Sequence, residues 1–406
     1  MSTSRRSFLA AALGAAALPL LPRFALARAA ARAPGSRRLL WIDLAGGNDG
    51  LNTVVPFADP LYVAARPTLR FAESDLLPLR PGLALRKELA PLHARFEAGE
   101  LAIVQGVGYP QPDRSHFRST DIWHTASLAP ETASGGWLAR LGECEEAAGT
   151  GRLPALRGGG GSVPLLRAGA RGPAPQVETL ADLVVSTGPG DGSAERELEL
   201  ARLAEARGGG AALRYLREAA RNTHAQSAQV ARAAKAGRTV GRYPDAPLGR
   251  SLQLVAQLLA GGLDCNAYYA RQDGYDTHAF QRETHAFLLA TLGDALGAFW
   301  EDVTALGAAQ ELVVVISSEF GRRVAENGSK GTDHGAAAPL FVLGGGVAGG
   351  LHGPAPDLRD LEDGDLKFGV DFRRVYATLL EQWYEIESAP LLGERFAPLP
   401  LLRRGA

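Results

Sequence analysis

The chain has 406 residues, a formal net charge of -1, 46% hydrophobic residues and 21% charged residues. This balance is typical of a folded globular protein. It lacks the basic surplus that binding to nucleic acid usually requires, so no nucleic-acid partner is expected. The two cysteines, Cys144 and Cys265, exclude a disulfide scaffold. One bridge between them and two buried thiols are both compatible with the sequence.

The N-terminal segment SRRSFLAAALGAAALPLLPRFALARAA has the features of an export signal. The Arg5-Arg6 pair precedes a mildly apolar run that ends near Leu21, and an Ala-Leu-Ala string at 25–27 has the small-x-small pattern of a cleavage site. The run is too short for a stable transmembrane span. We therefore predict a twin-arginine signal over residues 1–27, export by the twin-arginine machinery, and a periplasmic or secreted location.

Five apolar runs predict buried strands, at residues 39–44, 101–107, 265–270, 312–316 and in the segment PLFVLGGG at 339–346. Helices are predicted from Ser115 onward and from about His278 to Leu306. Strands alternating with polar loops and helices are typical of a parallel sheet covered by helices on both faces. Ligands bind such sheets at the carboxyl ends of the strands, so we expect the polar loops to converge there.

Residues 145–250 have a different composition, with the glycine-rich strings GGGGS, STGPGDGS and RGGG and an Ala/Arg/Glu-rich stretch at 194–238. This pattern predicts a largely helical insertion within a single α/β domain of residues 37–402. Near the C-terminus, four apolar residues recur on one predicted helix face: Phe372, Val375, Leu379 and Trp383.

Acidic and histidine residues in the loops after the strands are candidate metal ligands. They are Asp49, Asp276, His278, Glu319, Asp333 and His334. Carboxylates and neutral imidazoles suit zinc, manganese or calcium. Four of these residues have simpler interpretations. Asn-Asp-Gly around Asp49 is common turn chemistry, and Asp276 could cap the following helix. Asp333 could cap its loop, and His334 could make a structural hydrogen bond.

Ser115 is the candidate nucleophile, because a hydroxyl at a helix start lies beside unpaired N–H groups and a partial positive charge. Arg114 and Arg322 are candidates for holding the oxygens of a phosphoryl or sulfuryl group. The alternative is that Ser115 only caps its helix. The sequence contains no Walker loop, dinucleotide fingerprint, Gly-x-Ser-x-Gly elbow, haem motif or iron-sulfur motif. No nucleotide, haem or flavin is therefore expected.

The leader and the segments GGNDGLNTVVP, RSHF, GYDTH, SEFGR, GTDHG and DFRRVYATLL, in this order, resemble domain-of-unknown-function family 1501. That family consists of exported proteins related to the sulfatases within the alkaline phosphatase superfamily. The resemblance covers residues 39 to about 385. It implies a three-layer α/β/α sandwich with a mainly parallel central sheet. It also implies metal-assisted hydrolysis of a phosphate or sulfate ester, on a small molecule or a glycan, through a covalent nucleophile.

By this resemblance, Asp49 is similar to the metal-binding acid after the first strand, and Ser115 is similar to the nucleophile. Asp276 and His278 resemble the acid-then-histidine pair, and the Asp-His-Gly string around His334 resembles the last histidine ligand. Three features depart from the superfamily. The strand end that normally carries its Asp-His motif carries Ser318-Glu319-Phe320 here. The acid and histidine are two apart instead of four, and Ser115 lacks the Cys-x-Pro-Ser-Arg context, so formylglycine is not expected. Two functions therefore remain: a metal-dependent ester hydrolase, or a non-catalytic exported binding or assembly protein on the same fold.

Overall fold

A nine-stranded sheet forms the centre of the computed structural model, which describes residues 37–133, 135–147, 156–158, 176–177, 202, 210, 226 and 228–403. The predicted signal and most of the predicted insertion lie outside these residues, as does the side chain of Cys144. Among the residues that the structure describes, no helix is both long and apolar enough to cross a membrane.

The strands are β1 (Arg38–Ala45), β2 (Val54–Val55), β3 (Leu76–Arg80), β4 (Leu83–Arg86), β5 (Leu101–Gly108), β6 (Leu156–Gly158), β7 (Gln176–Val177), β8 (Ala267–Asp273), β9 (Leu312–Ser317), β10 (Ala338–Leu343), β11 (Gly350–His352), β12 (Leu361–Glu362), β13 (Asp365–Leu366) and β14 (Val370–Asp371). The main sheet has the order β11-β5-β10-β9-β1-β8-β6-β7, and β14 also pairs with β5. Two small antiparallel sheets, β2-β4-β3 and β12-β13, accompany it.

The α-helices are α1 (Pro60–Ala65), α2 (Ala90–Glu97), α3 (His116–Thr125), α4 (Trp137–Ala147), α5 (Pro247–Ala260), α6 (Gln281–Ala305), α7 (Phe372–Thr378) and α8 (Ala389–Leu392). Residues 228–236 are also helical, and a π-helical turn at Leu379–Trp383 continues α7. The four apolar residues predicted to share one face at this end of the chain are all buried.

Alternating side chains of β1 pack into two separate apolar cores. Leu40 and Ile42 belong to the core that contains residues of α5 and α6, whereas Leu39 and Trp41 belong to the core with residues of α3, α4 and α7. Successive side chains of a strand point to opposite faces of its sheet, so helices cover both faces. The predicted three-layer α/β/α sandwich with a mainly parallel sheet is confirmed.

Strand β10 corrects one part of the prediction, because it runs antiparallel to both of its neighbours, β5 and β9. The other described pairs in the main sheet are parallel. The physical reason lies in the connection between β9 and β10, which contains no helix among its residues 318–337. A parallel return needs a crossover, and a loop can bring the chain back antiparallel instead. The third strand also begins two residues later than predicted, at Ala267.

Candidate metal centre

Loops from four strand ends meet at one edge of the sheet, as the parallel topology predicts. Two glycines after β1 allow this close approach. A Cβ on Gly46 would lie 2.4 Å from the backbone nitrogen of Asp276, and one on Gly47 would lie 2.4 Å from the ring of Phe320. Both glycines also have positive φ angles, of 117° and 74°, which side-chain-bearing residues rarely adopt. Larger residues at these positions would separate the loops that carry the site.

Three histidines surround one carboxylate at this edge. Asp276 Oδ1 lies 3.0 Å from Nε2 of His278, 3.0 Å from Nε2 of His334 and 3.5 Å from Nε2 of His116. The two nitrogens His278 Nε2 and His334 Nε2 are themselves 3.0 Å apart. We call these four residues the His-Asp cluster. It joins the start of α3, the loop after β8 and the loop before β10.

The second ring nitrogen of each histidine contacts an oxygen acceptor outside the cluster. His116 Nδ1 is 2.8 Å from Glu319 Oε1, and His278 Nδ1 is 3.1 Å from Asp333 Oδ1. His334 Nδ1 is 2.8 Å from the carbonyl oxygen of Arg114. A carbonyl oxygen can only accept a hydrogen bond, so the proton of a neutral His334 must be on Nδ1. The same assignment for the other two rings leaves all three Nε2 lone pairs facing Asp276.

This arrangement fits a bound divalent cation. Asp276 Oδ1 lies 3.0 to 3.5 Å from three imine nitrogens, and their lone pairs repel the carboxylate oxygen unless a proton or a cation lies among them. Tetrahedral bonds of about 2.0–2.2 Å would separate the ligand atoms by about 3.3–3.6 Å, and the ligand atoms of His116, Asp276 and His334 all lie within 4.8 Å of one another. Histidine ligands of metals usually donate their other N–H to a carboxylate or a backbone carbonyl. The buried His116 Nε2 also has no hydrogen-bond partner in the described part of the chain.

The charges around the cluster keep Asp276 ionised. Burial raises the pKa of Asp276, but the hydrogen bond and the charge of Arg322, together with His334 and His116 in their protonated forms, outweigh it and lower the pKa far below its usual range. The hydrogen bond to Glu319 raises the pKa of His116. A permanently anionic Asp276 is the state that a cation would require.

Arg322 lies behind the cluster and not in an open cleft. Its side chain is fully buried, and its guanidinium donates to the carbonyl oxygens of Gly46, Gly47 at 2.7 Å, Tyr275 at 3.0 Å and Thr332 at 2.8 Å. It also donates to Asp276 Oδ1 at 2.7 Å. The same oxygen, Asp276 Oδ1, is the one that faces the three histidine Nε2 atoms, so Arg322 and a bound cation would share it. Arg322 therefore positions Asp276, whereas the sequence predicted that it contacts substrate oxygens.

Asp49 lies in a buried ion pair and not in the His-Asp cluster. Arg66 Nη1 is 2.5 Å from Asp49 Oδ2, and both side chains are fully buried. Gln281 donates to the same oxygen, and Asn52 N–H donates to Oδ1 at 3.3 Å. Burial raises the pKa of Asp49, but Arg66 more than offsets this, and the net pKa is lowered. With both oxygens occupied in this way, Asp49 has no free ligand atom for the metal that the sequence predicted there.

Both sequence neighbours of Ser115 contact the His-Asp cluster. The backbone carbonyl of Arg114 accepts a hydrogen bond from His334 Nδ1, and His116 is itself a member of the cluster. Ser115 is the N-cap residue of α3, but its side chain makes no capping hydrogen bond. Its backbone N–H instead donates to Asp113 Oδ1 at 2.7 Å. The hydroxyl is exposed and uncommitted. The side chain of Arg114 forms a salt bridge with Asp365 and is 37% exposed.

Of the predicted metal ligands, Asp276, His278 and His334 come together, while Glu319 and Asp333 orient histidine rings from outside the cluster. His116 was missing from the sequence prediction. His116, Asp276 and His334 nevertheless form a group whose ligand atoms all lie within 4.8 Å of one another. A signal was available: His116 directly follows Ser115 at a predicted helix start, where the first side chain points back toward the preceding loop.

The model of one protein family, described as a protein of unknown function (DUF1501), matches residues 107–392, which is well over half of the chain. The chain belongs to the DUF1501 family. The match contains every member of the His-Asp cluster together with Ser115 and Glu319. No curated protein matches this DUF1501 chain.

Several solved structures are similar in fold to this DUF1501 member. The C-terminal periplasmic domain of EcEptC from Escherichia coli, in complex with Zn, is 8% identical with a TM-score of 0.35, over 76% of this chain and 72% of that one. The PsFucS1 sulfatase from Pseudoalteromonas sp. is 11% identical with a TM-score of 0.38, over 91% and 70%. The lipoteichoic acid synthase LtaP from Listeria monocytogenes is 8% identical with a TM-score of 0.34, over 78% and 68%. These similarities concern the fold alone.

His285, on α6, should make stability depend on pH. It is buried with Nε2 2.8 Å from Asn48 Oδ1, and burial lowers its pKa from 6.5 to about 4. Because the unfolded chain binds this proton more readily, the stabilisation is complete above pH 6.5 and is lost as the pH falls toward 4. Between about pH 7.5 and pH 5, the free energy of unfolding should fall by about 2 kcal/mol more in the wild type than in His285→Gln.

Urea unfolding at each pH, with a chelator in every sample, would measure this difference. All other titratable groups are the same in the two proteins, so their contribution cancels in the comparison. Parallel pH profiles for the two proteins would contradict the assignment of a buried, neutral His285.

Proposed function

We propose that this DUF1501 protein is an exported, metal-dependent hydrolase of phosphate or sulfate esters. The observation that carries the proposal is the orientation of three histidines, each with Nδ1 on an outer acceptor and Nε2 directed at Asp276. That orientation suits a bound cation, because the three nitrogens and the carboxylate oxygen need either a cation or a proton among them. The location in the periplasm or outside the cell follows from the twin-arginine signal at residues 1–27 and belongs to the same proposal.

His116, His278, His334 and Asp276 would hold the ion, which would be zinc or manganese because three nitrogen ligands suit these metals better than calcium. When bound, a divalent ion supplies Lewis-acid stabilisation of charge on the ester oxygens. Glu319 and Asp333 fix the ring orientation of His116 and His278. Such outer partners raise the basicity of the ligating nitrogen.

Ser115 is the proposed nucleophile. Its hydroxyl is exposed and makes no capping bond, and its neighbours on both sides contact the cluster. The ten-residue helix α3 begins at the next residue. Its first N–H groups and its dipole can stabilise negative oxygens of a phosphoryl or sulfuryl group. With Arg322 buried, this helix start takes over the role of oxygen binding that the sequence predicted for arginine.

The experiment combines elemental analysis with an activity screen on the purified mature protein. Wild type should contain about one equivalent of zinc or manganese, and His334→Ala should lose it. His352→Ala is the matched control, because His352 lies on β11 and contacts the carbonyl of Ala348. The screen uses p-nitrophenyl phosphate, bis-p-nitrophenyl phosphate and p-nitrophenyl sulfate. For any ester that is hydrolysed, Ser115→Ala should keep the metal and lower kcat by about a thousandfold or more.

The outcomes separate the two functions considered from the sequence. A wild-type protein that neither contains nor takes up a divalent metal would overturn the metal-dependent mechanism. Bound metal without turnover of any ester would favour the non-catalytic binding protein. Turnover that persists in Ser115→Ala at the wild-type rate would remove Ser115 from the mechanism while leaving the metal site in place.

A further inference from the structure

A cavity of about 320 Å³ lies beside the small sheet β2-β4-β3 and near the carboxyl end of β5. Its walls are mainly apolar and include Leu51, Val54, Leu83 and Pro339. Its volume is within the range of small-molecule sites in proteins. Of the cavity's lining residues, Arg322 alone also touches the His-Asp cluster in the structure's described part. The cavity is therefore a separate feature from the proposed ester site.

One polar side chain in the cavity wall has no partner. Gln105, near the carboxyl end of β5, is 4% exposed and lines the cavity. Its amide makes no hydrogen bond to any residue in the described part of the chain. By strand alternation it shares a sheet face with Leu101 and Ile103, which belong to the same core as Val54 and Leu83 of the cavity wall. The amide atoms keep some accessible surface, so water or a ligand in the cavity can hydrogen-bond to them.

The rim adds a positive charge. Arg80, at the end of β3, is exposed and has no salt-bridge partner among the residues described. Besides Arg80 and the buried Arg322, the lining contains one more charged residue, Asp59, which uses Oδ1 to cap α1 through Leu61 N–H at 2.8 Å. At the rim, the guanidinium of Arg80 can therefore pair with a bound anion, whereas the carboxylate of Asp59 already accepts a hydrogen bond from Leu61 N–H.

We propose that this cavity binds a small, mainly apolar carboxylate that carries one hydroxyl or carbonyl group. The apolar body contacts the leucine, valine and proline walls, and the hydroxyl or carbonyl group pairs with the amide of Gln105. The carboxylate remains at the rim near Arg80. This binding does not depend on metal in the His-Asp cluster or on the proposed hydrolysis.

The test is a fluorescence titration of the full mature chain with 6-hydroxy-2-naphthoate, compared with 2-naphthoate, which lacks the hydroxyl. Wild type should bind the hydroxylated probe with one-to-one stoichiometry and a Kd below about 1 mM. Gln105→Leu should raise that Kd about tenfold and change the Kd for 2-naphthoate by less than about twofold, because only the hydroxyl loses its partner. Leucine suits an apolar wall, so this variant should keep its fold.

A second pair of variants tests the location. Ala355 is exposed and belongs to the lining, so Ala355→Trp should block the mouth and abolish binding. Ala98→Trp, at an exposed position outside the lining, should bind like the wild type. The proposal is overturned if the wild type shows no saturable binding, if Ala355→Trp binds normally, or if Gln105→Leu weakens both probes equally.

Discussion

Replacing Arg322 by methionine is expected to lower the free energy of unfolding by at least about 4 kcal/mol, because four buried carbonyl oxygens lose a donor at about 1 kcal/mol or more each. These carbonyls belong to the loops after β1, after β8 and before β10. Arg322 is therefore the residue that holds the three loops together. Methionine keeps most of the volume of the side chain, so the loss reports hydrogen bonds more than packing.

Arg322→Met should also weaken metal binding at least tenfold, since Asp276 loses the group that orients it. Urea unfolding with a chelator present measures the first effect without the stabilisation that bound metal adds. A metal titration measures the second. Arg323→Met is the matched control, because Arg323 is the next residue, is 37% exposed, and makes its one side-chain hydrogen bond to the carbonyl of Asp363 at 3.0 Å. Equal stability of the two variants would disprove the role given to Arg322.

Replacing Arg66 by methionine is expected to lower the free energy of unfolding by about 3–5 kcal/mol, because it leaves Asp49 buried and charged without its partner. Both side chains are fully buried. Arg66 also donates to the carbonyl oxygens of Val324 at 2.5 Å and Arg323 at 2.7 Å. It therefore connects the end of α1 to the two residues that follow Arg322. Urea unfolding is the measurement. Arg250→Met, at an exposed pair with Asp245, should change stability little.

The double variant Arg66→Met/Asp49→Asn separates the charge from the other contacts. It should be more stable than Arg66→Met, because no uncompensated charge stays buried. The double variant should also keep the metal content of the wild type, since Asp49 lies outside the His-Asp cluster. If the folded double variant lost its metal, Asp49 would be a metal ligand, as the sequence predicted.

The local sequence was sufficient to predict where the main strands lie and which loops carry the site. Continuous apolar runs such as 312–316 can be buried on both faces only in a covered sheet, which is why the predicted strand and β9 agree within one residue. Polar loops after such strands must lie at one edge of a parallel sheet. Asp276, His278 and His334 were therefore identifiable from the sequence by itself, because strand ends and residue chemistry are both local properties.

The tertiary structure decided which of these polar residues face one another. Asp49 and Asp276 both follow strand ends, but Arg66, directly after α1, pairs with Asp49, whereas three histidines surround Asp276. The same packing buries Arg322 among backbone carbonyls and adds His116 to the cluster. The strand order places β10 antiparallel between β9 and β5. The two residues of such a pair are separated by 17 positions in the sequence for Asp49 and Arg66, and by more than 200 positions for His116 and Glu319. A sequence pattern describes neighbours along the chain, whereas charge pairing depends on distances that only packing sets.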